Sequence, residues 1–203
     1  MEFSITLAII VATSLVSWLG FNNEALKGAL VLWPPAVTRR HEYHRFLGYG
    51  VVHADFMHLL FNMITLFFFG RLMEGFYAQY LGAMGFLWFY LSALVVSALP
   101  SYLKHRDDPN YVTLGASGAV SAVLFAFILL KPWETIYVYF IPVPAILFAV
   151  AYTGYSVYMN HRQADRINHS AHLAGAAYGI LFTVLLEPRV LSHFLAELAN
   201  PGG

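Results

Sequence analysis

Six apolar runs separated by polar connections are the feature that most constrains how this chain can fold. A helix needs about 20 apolar residues to cross the roughly 30 Å hydrocarbon core of a bilayer. The runs cover residues 3–21, 56–81, 84–102, 114–130, 136–159 and 170–186. Because backbone amides in lipid must find hydrogen bonds inside their own segment, such runs fold as helices. The sequence therefore predicts an all-α polytopic membrane protein, with six transmembrane helices in one bundle.

The composition agrees with this class. Of the 203 residues, 59% are hydrophobic and 11% are charged, whereas soluble domains are about 45–50% apolar and about 25% charged. Lys and Arg are scattered, without the basic stripe that binds nucleic acid, so we expect no nucleic-acid partner. The chain has no cysteine, which excludes disulfides and thiolate metal sites. No repeat divides the sequence, and we expect one integral membrane domain over residues 1–203.

The first run, residues 3–21, is expected to remain in the protein rather than be removed as a signal peptide. It lacks the positive start and the small-residue cleavage site of such peptides. Residues 22–55 form a long connection that mixes Trp33, Tyr43 and basic side chains, which favour the headgroup region. Connections this long are rarely without structure, and we interpret this one as a partly structured interfacial loop.

Prolines and charges interrupt two of the runs. Pro142 and Pro144 lie early in the fifth run and are expected to bend that helix, since proline removes a helix hydrogen bond. The bend makes the fifth helix a candidate lateral gate. Arg71 and Glu74 lie late in the second run, and we interpret them as a structural polar pair or as helix caps.

Polar side chains gather at the beginnings of the even-numbered runs. His53, His58 and Asn62 mark the start of the second run, Ser117 that of the fourth, and His172 that of the sixth. If each run crosses the membrane, the even helices point in one direction and their beginnings lie on the same side. The sequence therefore predicts that these five side chains meet.

The spacing of these residues favours contact between helices. His58 and Asn62 are four residues apart and share a helix face. Small residues, which let membrane helices approach closely, flank the serine and follow the histidine of the sixth run. They are Gly115, Gly118, Gly175 and Gly179.

The depth of Ser117 follows from the length of its run. Fourteen residues separate it from Lys131, which is about 21 Å of helix at about 1.5 Å per residue. With Lys131 at one interface of a roughly 30 Å core, Ser117 lies about 9 Å below the other. Polar groups at that depth need a water-filled cavity or shielding by protein.

Each polar feature also has a plainer explanation when taken alone. Serine and glycine in membrane helices are mostly packing residues. The histidines could in principle form a metal cluster, and the candidates are His53, His58, His169 and His172. Their separations of five and three residues differ from the i,i+4 pair with a carboxylate that metal-binding helices favour. We therefore expect no metal and no cofactor. Taken together, the polar residues at the starts of the even-numbered runs favour a serine nucleophile with a histidine base.

At these residues the chain resembles the rhomboid family of intramembrane serine proteases in its minimal six-helix form. Three motifs carry the resemblance: His53 with His58-x-x-x-Asn62, Gly115-x-Ser117-Gly118, and Ala171-His172-x-x-Gly175-x-x-x-Gly179. The stretch from Phe69 to Glu74 also looks like the end of the family's second helix.

The resemblance implies a catalytic dyad of Ser117 and His172 without a third carboxylate. It implies an oxyanion hole made by His58, Asn62 and the backbone N–H of Ser117, with His53 as a less essential neighbour. The implied activity is cleavage of the transmembrane segments of membrane proteins, in a bacterial inner membrane. The alternatives are a catalytically silent rhomboid-like binder of membrane proteins and a small histidine-containing transporter.

Two positions depart from the family pattern. The chain has His44-Arg45 where the family usually carries Trp-Arg, which affects how the first loop seats in lipid. Four residues after the serine the family often has an aromatic that packs on the catalytic imidazole, and here that position is Ser121. His172 must then be held by another group, such as a neighbouring aromatic.

The orientation in the membrane gives two opposing expectations. The positive-inside rule places the side richer in Lys and Arg in the cytoplasm, whereas bacterial members of the resembled family generally open the site to the exterior. The side with the serine carries Lys27, Arg39, Arg40, Arg45, Lys104, Arg106, Arg162 and Arg166. The opposite side carries Arg71, Lys131 and Arg189.

Overall fold

The computed structural model describes residues 4–138, 140–162 and 167–200, and most of them are helical. The helices are α1 (Ile5–Phe21), α2 (Glu24–Leu30), α3 (Pro34–Arg40), α4 (Arg45–Gly48), α5 (Phe56–Thr65), α6 (Arg71–Leu81), α7 (Gly85–His105), α8 (Ser117–Leu130), α9 (Ala145–Arg162), α10 (His169–Leu186) and α11 (Arg189–Ala199). The strands β1 (Thr135–Val138) and β2 (Ile141–Pro144) precede α9. The predicted all-α class is confirmed.

The six predicted runs correspond to α1, α5 with α6, α7, α8, α9 and α10. A π-helical turn, Leu66–Gly70, joins α5 and α6 into one helix. Within the described ranges, three helices are long and apolar enough to cross a membrane, namely Phe56–Leu81, α7 and α10. Two further apolar helices, α1 and α8, are shorter.

The start of the fifth run differs from the prediction. Strands β1 and β2 pair there as an antiparallel hairpin in which Pro142 lies opposite Tyr137, and the helix begins only at Ala145. The expected proline bend is therefore wrong, because Pro142 and Pro144 lie in a strand. Proline lacks an N–H donor, and a strand at a sheet edge tolerates that loss better than a helix does.

The connection over residues 22–55 has its own structure, as expected, in α2, α3, α4 and a short 3₁₀ turn. Buried Arg45 binds this connection together. Its guanidinium forms an ion pair with Glu42 at 2.6 Å and donates to the carbonyls of Gly28 and Val31. His44, which stands where the resembled family usually has Trp, is exposed. Its Nε2 lies 3.2 Å from the carbonyl oxygen of Ala29.

Glu74 caps a neighbouring helix. Its carboxylate accepts hydrogen bonds from the backbone N–H groups of Ile5 and Thr6 and from the hydroxyl of Ser4. The first N–H groups of a helix lack acceptors within that helix, and a carboxylate there is favourable. The interpretation of Glu74 as a cap is confirmed, while Arg71 is exposed.

Helix α8 lies at the centre of the bundle. Every residue from Gly118 to Leu129 is buried, and helices on several sides pack against it, most extensively α10. Its 14 residues span about 21 Å at about 1.5 Å per residue, which is less than the length of α7. A short central helix surrounded by longer ones leaves space beyond its N-terminus, where Ser117 lies.

Candidate active site

Ser117 and His172 are in direct contact. The hydroxyl oxygen of Ser117 lies 2.7 Å from Nε2 of His172, which is hydrogen-bond distance. Ser117 is the first residue of α8, and His172 lies in the first turn of α10. The prediction that these side chains from separate runs meet is confirmed.

Two glycines of α10 allow this contact. A Cβ atom built on Gly175 would lie less than 3.0 Å from the carbonyl oxygen of Gly118, and one on Gly179 equally close to that of Ala122. Real Cβ atoms do not approach backbone so closely, so α10 can lie this near α8 only because both positions are glycine. The predicted small-residue contact is confirmed.

Gly115 shapes the turn before the serine. Its φ of +110° belongs to a region that side chains disfavour, and its N–H donates to the carbonyl of Tyr49 at 2.8 Å. A Cβ atom here would lie within 3.0 Å of the imidazole of His58. The glycine therefore provides both the backbone conformation and the space for that ring.

His58 and Asn62 lie on α5, beside this turn. Asp55 caps α5 by accepting the backbone N–H of His58 at 2.8 Å. The side-chain amide of Asn62 donates to the carbonyl of His58 at 2.9 Å, which fixes the amide relative to the imidazole. The predicted shared face of the two residues is confirmed.

A cavity of about 630 Å³ opens above the N-terminus of α8. At about 30 Å³ per water molecule, it has room for roughly 20 waters. Ser117, His172, His58 and Asn62 all line this cavity. The structure thus brings a hydroxyl, an imidazole and two further hydrogen-bonding side chains together around one space that can hold water.

The Rhomboid domain family model matches residues 40–189. The chain belongs to the rhomboid family. Its family and its apolar helices make it an integral, multi-pass membrane protein, and the predicted resemblance is confirmed.

Curated relatives come from eukaryotes and bacteria. The chain is 32% identical to RHOMBOID-like protein 12, mitochondrial, of Arabidopsis thaliana over 85% of its own length and 55% of that protein. It is 28% identical to rhomboid-related protein 1 of Caenorhabditis elegans over 87% and 48%. It is also 28% identical to the putative rhomboid protease YdcA of Bacillus subtilis over 87% and 85%. The chain therefore spans about half the length of the first two relatives.

His53 holds the backbone of this rhomboid chain just before the serine. Its Nε2 accepts the N–H of Ala116 at 3.3 Å, so Nδ1 carries the proton and donates to the hydroxyl of Ser17 at 2.9 Å. That hydroxyl donates in turn to the carbonyl of Val51. His53 is buried and is absent from the cavity lining. It links α1 to the turn that carries Ser117.

Burial lowers the pKa of His53 to about 3 from its ordinary 6.5, and the neighbouring His58 adds to this while Asp55 opposes it. The folded protein therefore keeps this imidazole neutral, whereas the unfolded chain binds a proton below about pH 6.5. Stability from His53 is present above that pH and is lost as the pH falls toward about 3.

We expect the thermal unfolding midpoint of the protein in detergent to be lower at pH 5 than at pH 7.5. His53→Asn should be less stable at pH 7.5. Its unfolding midpoint should fall less on acidification, because the variant lacks the group that gains a proton on unfolding. An identical loss in both proteins would contradict this assignment.

Two residues near the site, Tyr152 and Asn168, were not identified from the sequence. Tyr152 of α9 stacks on His172, and Ser121 binds the hydroxyl of Tyr152. Asn168 caps α10 by accepting the N–H of Ala171, and its amide donates to the hydroxyls of Ser101 and Thr113. The expectation of a neighbouring aromatic at His172 is confirmed, although no sequence pattern identifies Tyr152 as that residue.

The four histidines considered for metal binding contact one another in two pairs. His53 and His58 pack edge to face, as do His169 and His172. In the part of the chain that the structure describes, no group of three or more His, Asp and Glu side chains is arranged to hold a metal ion.

Proposed function

We propose that this protein is an intramembrane serine endopeptidase that cleaves transmembrane segments of other membrane proteins. The observation that carries the proposal is the 2.7 Å contact between Ser117 and His172 at the edge of a cavity of about 630 Å³. Membership of the rhomboid family supports it, as does the similarity to a putative rhomboid protease of Bacillus subtilis. We place it in a bacterial inner membrane.

The reaction begins at Ser117. Nε2 of His172 accepts the hydroxyl proton as the serine oxygen attacks the peptide carbonyl. The imidazolium then donates that proton to the leaving amine, and the acyl-enzyme remains on Ser117. Water from the cavity attacks the ester, with His172 again accepting a proton, and the serine is regenerated. No side-chain carboxylate is needed in this sequence of steps.

The oxyanion of the tetrahedral intermediate forms beside the N-terminus of α8. Backbone N–H groups in the first turn of a helix lack acceptors within that helix and favour negative charge. We assign the N–H of Ser117, the imidazole of His58 and the amide of Asn62 as the donors. His58 and Asn62 line the same cavity as the serine, and Asn62 is buried and oriented by its bond to the carbonyl of His58. Gly115, Gly118, Gly175 and Gly179 support this arrangement.

The substrate must present an extended peptide to the serine. The amides of a transmembrane helix are already hydrogen-bonded, so the scissile region has to unwind before attack. Small or helix-weakening residues near the cleavage point lower the cost of that unwinding. We therefore propose membrane proteins with such segments as substrates, delivered from the bilayer.

Asn62→Ala should lower kcat for a model transmembrane substrate by about 10²–10³, the usual cost of one oxyanion-hole donor. The unfolding midpoint should change little, because the bond that the amide makes among the described residues is to the carbonyl of His58, which also accepts a backbone N–H within the helix. Cleavage at the wild-type rate would remove Asn62 from the oxyanion hole.

Labelling with a fluorophosphonate probe tests the proposed activity. The purified protein should form a covalent adduct on Ser117, and Ser117→Ala should not be labelled. This result favours the enzyme. A folded wild-type protein that neither reacts with the probe nor cleaves a model substrate would instead be the catalytically silent binder or the transporter, and the proposal would be wrong.

A further inference from the structure

The aromatic ring of Tyr152 lies against the imidazole of His172. Their ring centroids are 5.9 Å apart and their planes differ by 19°, an offset-stacked arrangement of the kind that aromatic pairs favour. His172 is thus contacted at Nε2 by Ser117 and on its ring face by a residue from a third helix.

Ser121 holds the ring in this place. Its hydroxyl lies 2.9 Å from the hydroxyl of Tyr152. Ser121 is four residues after Ser117 on α8, so both serines lie on the same face of that helix. One face of α8 therefore bears both Ser117, whose hydroxyl bonds to the imidazole of His172, and Ser121, whose hydroxyl holds the ring of Tyr152.

We propose that Tyr152 is a positioning residue for His172, and that α9 must be seated against α8 for the dyad to react. The inference rests on the proposed function. The stacked ring restricts rotation of the imidazole about its side-chain bonds, and so keeps Nε2 directed at the hydroxyl of Ser117. A misplacement of about 1 Å in a reacting group can cost about 10²-fold in rate.

The coupling to α9 follows from how this helix is packed. Among its residues with described burial, only Ala145, Ala149 and Ser156 are buried, whereas α8 is buried along nearly its whole length. Tyr152 also stacks on Phe148 of its own helix, at 5.4 Å between centroids. If the weakly packed α9 moves outward to admit a substrate, the ring leaves the imidazole, and the dyad is aligned again only when α9 returns.

Tyr152→Leu removes the ring and tests the proposal directly. We expect it to lower kcat for a transmembrane substrate about 10- to 100-fold, with KM within about twofold of wild type. The rate constant for fluorophosphonate labelling of Ser117 should fall by a similar factor, because the small probe depends on the dyad and not on helix docking.

Tyr152→Phe and Ser121→Ala keep the ring and remove one hydroxyl each. Each should lose only about threefold in activity, and the double variant should lose no more than either alone because both act on one contact. If Tyr152→Leu proves unstable, these two variants test whether Tyr152 positions His172. A loss in Tyr152→Phe as large as that in Tyr152→Leu would overturn the role of the ring.

Matched controls are available in the same bundle. Tyr158 is an exposed tyrosine on α9 that contacts Arg162, so Tyr158→Leu should label at the wild-type rate. Ser92 pairs with the hydroxyl of Tyr178 away from the dyad, so Ser92→Ala should do likewise.

Two further outcomes separate this inference from the proposed function. A Tyr152→Leu variant that raises KM but labels at the wild-type rate would make Tyr152 a substrate contact and overturn the inference alone. A folded wild-type protein that is not labelled at all would overturn both proposals.

Discussion

Ser117→Ala and His172→Ala should each reduce cleavage of a model transmembrane substrate by about 10⁴-fold or more, to background. In the proposed mechanism, removal of the hydroxyl eliminates the nucleophile, and removal of the imidazole, 2.7 Å away, eliminates the base that accepts its proton. Because the two groups act as a unit, the double variant should be no worse than either single one. The measurement is kcat/KM in detergent or in vesicles.

The control for this experiment is His161→Ala. His161 is an exposed histidine near the end of α9, and its replacement should leave cleavage unchanged. The unfolding midpoints of all variants should stay close to wild type, since Ser117 and His172 lie at the edge of the cavity. Undiminished cleavage by either variant would show that Ser117 and His172 are not the catalytic dyad.

Gly175→Ala should be the most damaging small substitution to the fold. The new Cβ would meet the backbone carbonyl of Gly118, which cannot rotate away as a side chain can. Overpacking of this kind costs about 1–3 kcal/mol, which corresponds to a fall of about 2–12 °C in the unfolding midpoint of a chain of this size. Activity should fall about 10²-fold as well, since a displaced α10 carries His172 with it.

Gly75→Ala is the matched control. Gly75 also lies within a helix, but a Cβ there would have no atom within 4 Å. Alanine is preferred to glycine in helices by about 0.5–1 kcal/mol, so the midpoint should be unchanged or slightly higher. Equal stability of the two variants would show that α10 and α8 are not in the close contact described.

The positions of the helices could be predicted well because hydropathy acts locally. The run at residues 56–81 coincides with Phe56–Leu81, and that at 170–186 differs from α10 by one residue. The predicted start of the fifth helix was wrong for a physical reason. Ile136, Pro142 and their neighbours are apolar enough for a membrane helix, but two prolines without N–H donors fit a paired strand better, and hydropathy does not register that difference.

The sequence by itself determined which residues make up the candidate site. His58 with Asn62, Ser117 and His172 lie near the beginnings of three apolar runs. Runs of the same direction bring their beginnings to one side of a membrane. Glycines spaced along one helix face further indicated that α8 and α10 approach closely. These are periodic, local properties of the chain, and they can be read without coordinates.

Only the tertiary structure decided how the site is held together. Tyr152 reaches His172 from a different helix, and His53 connects Ser17 to Ala116 across about 100 residues of sequence. Such contacts arise from the packing of distant segments against one another. No spacing within a single helix encodes them, because each partner lies on a different element.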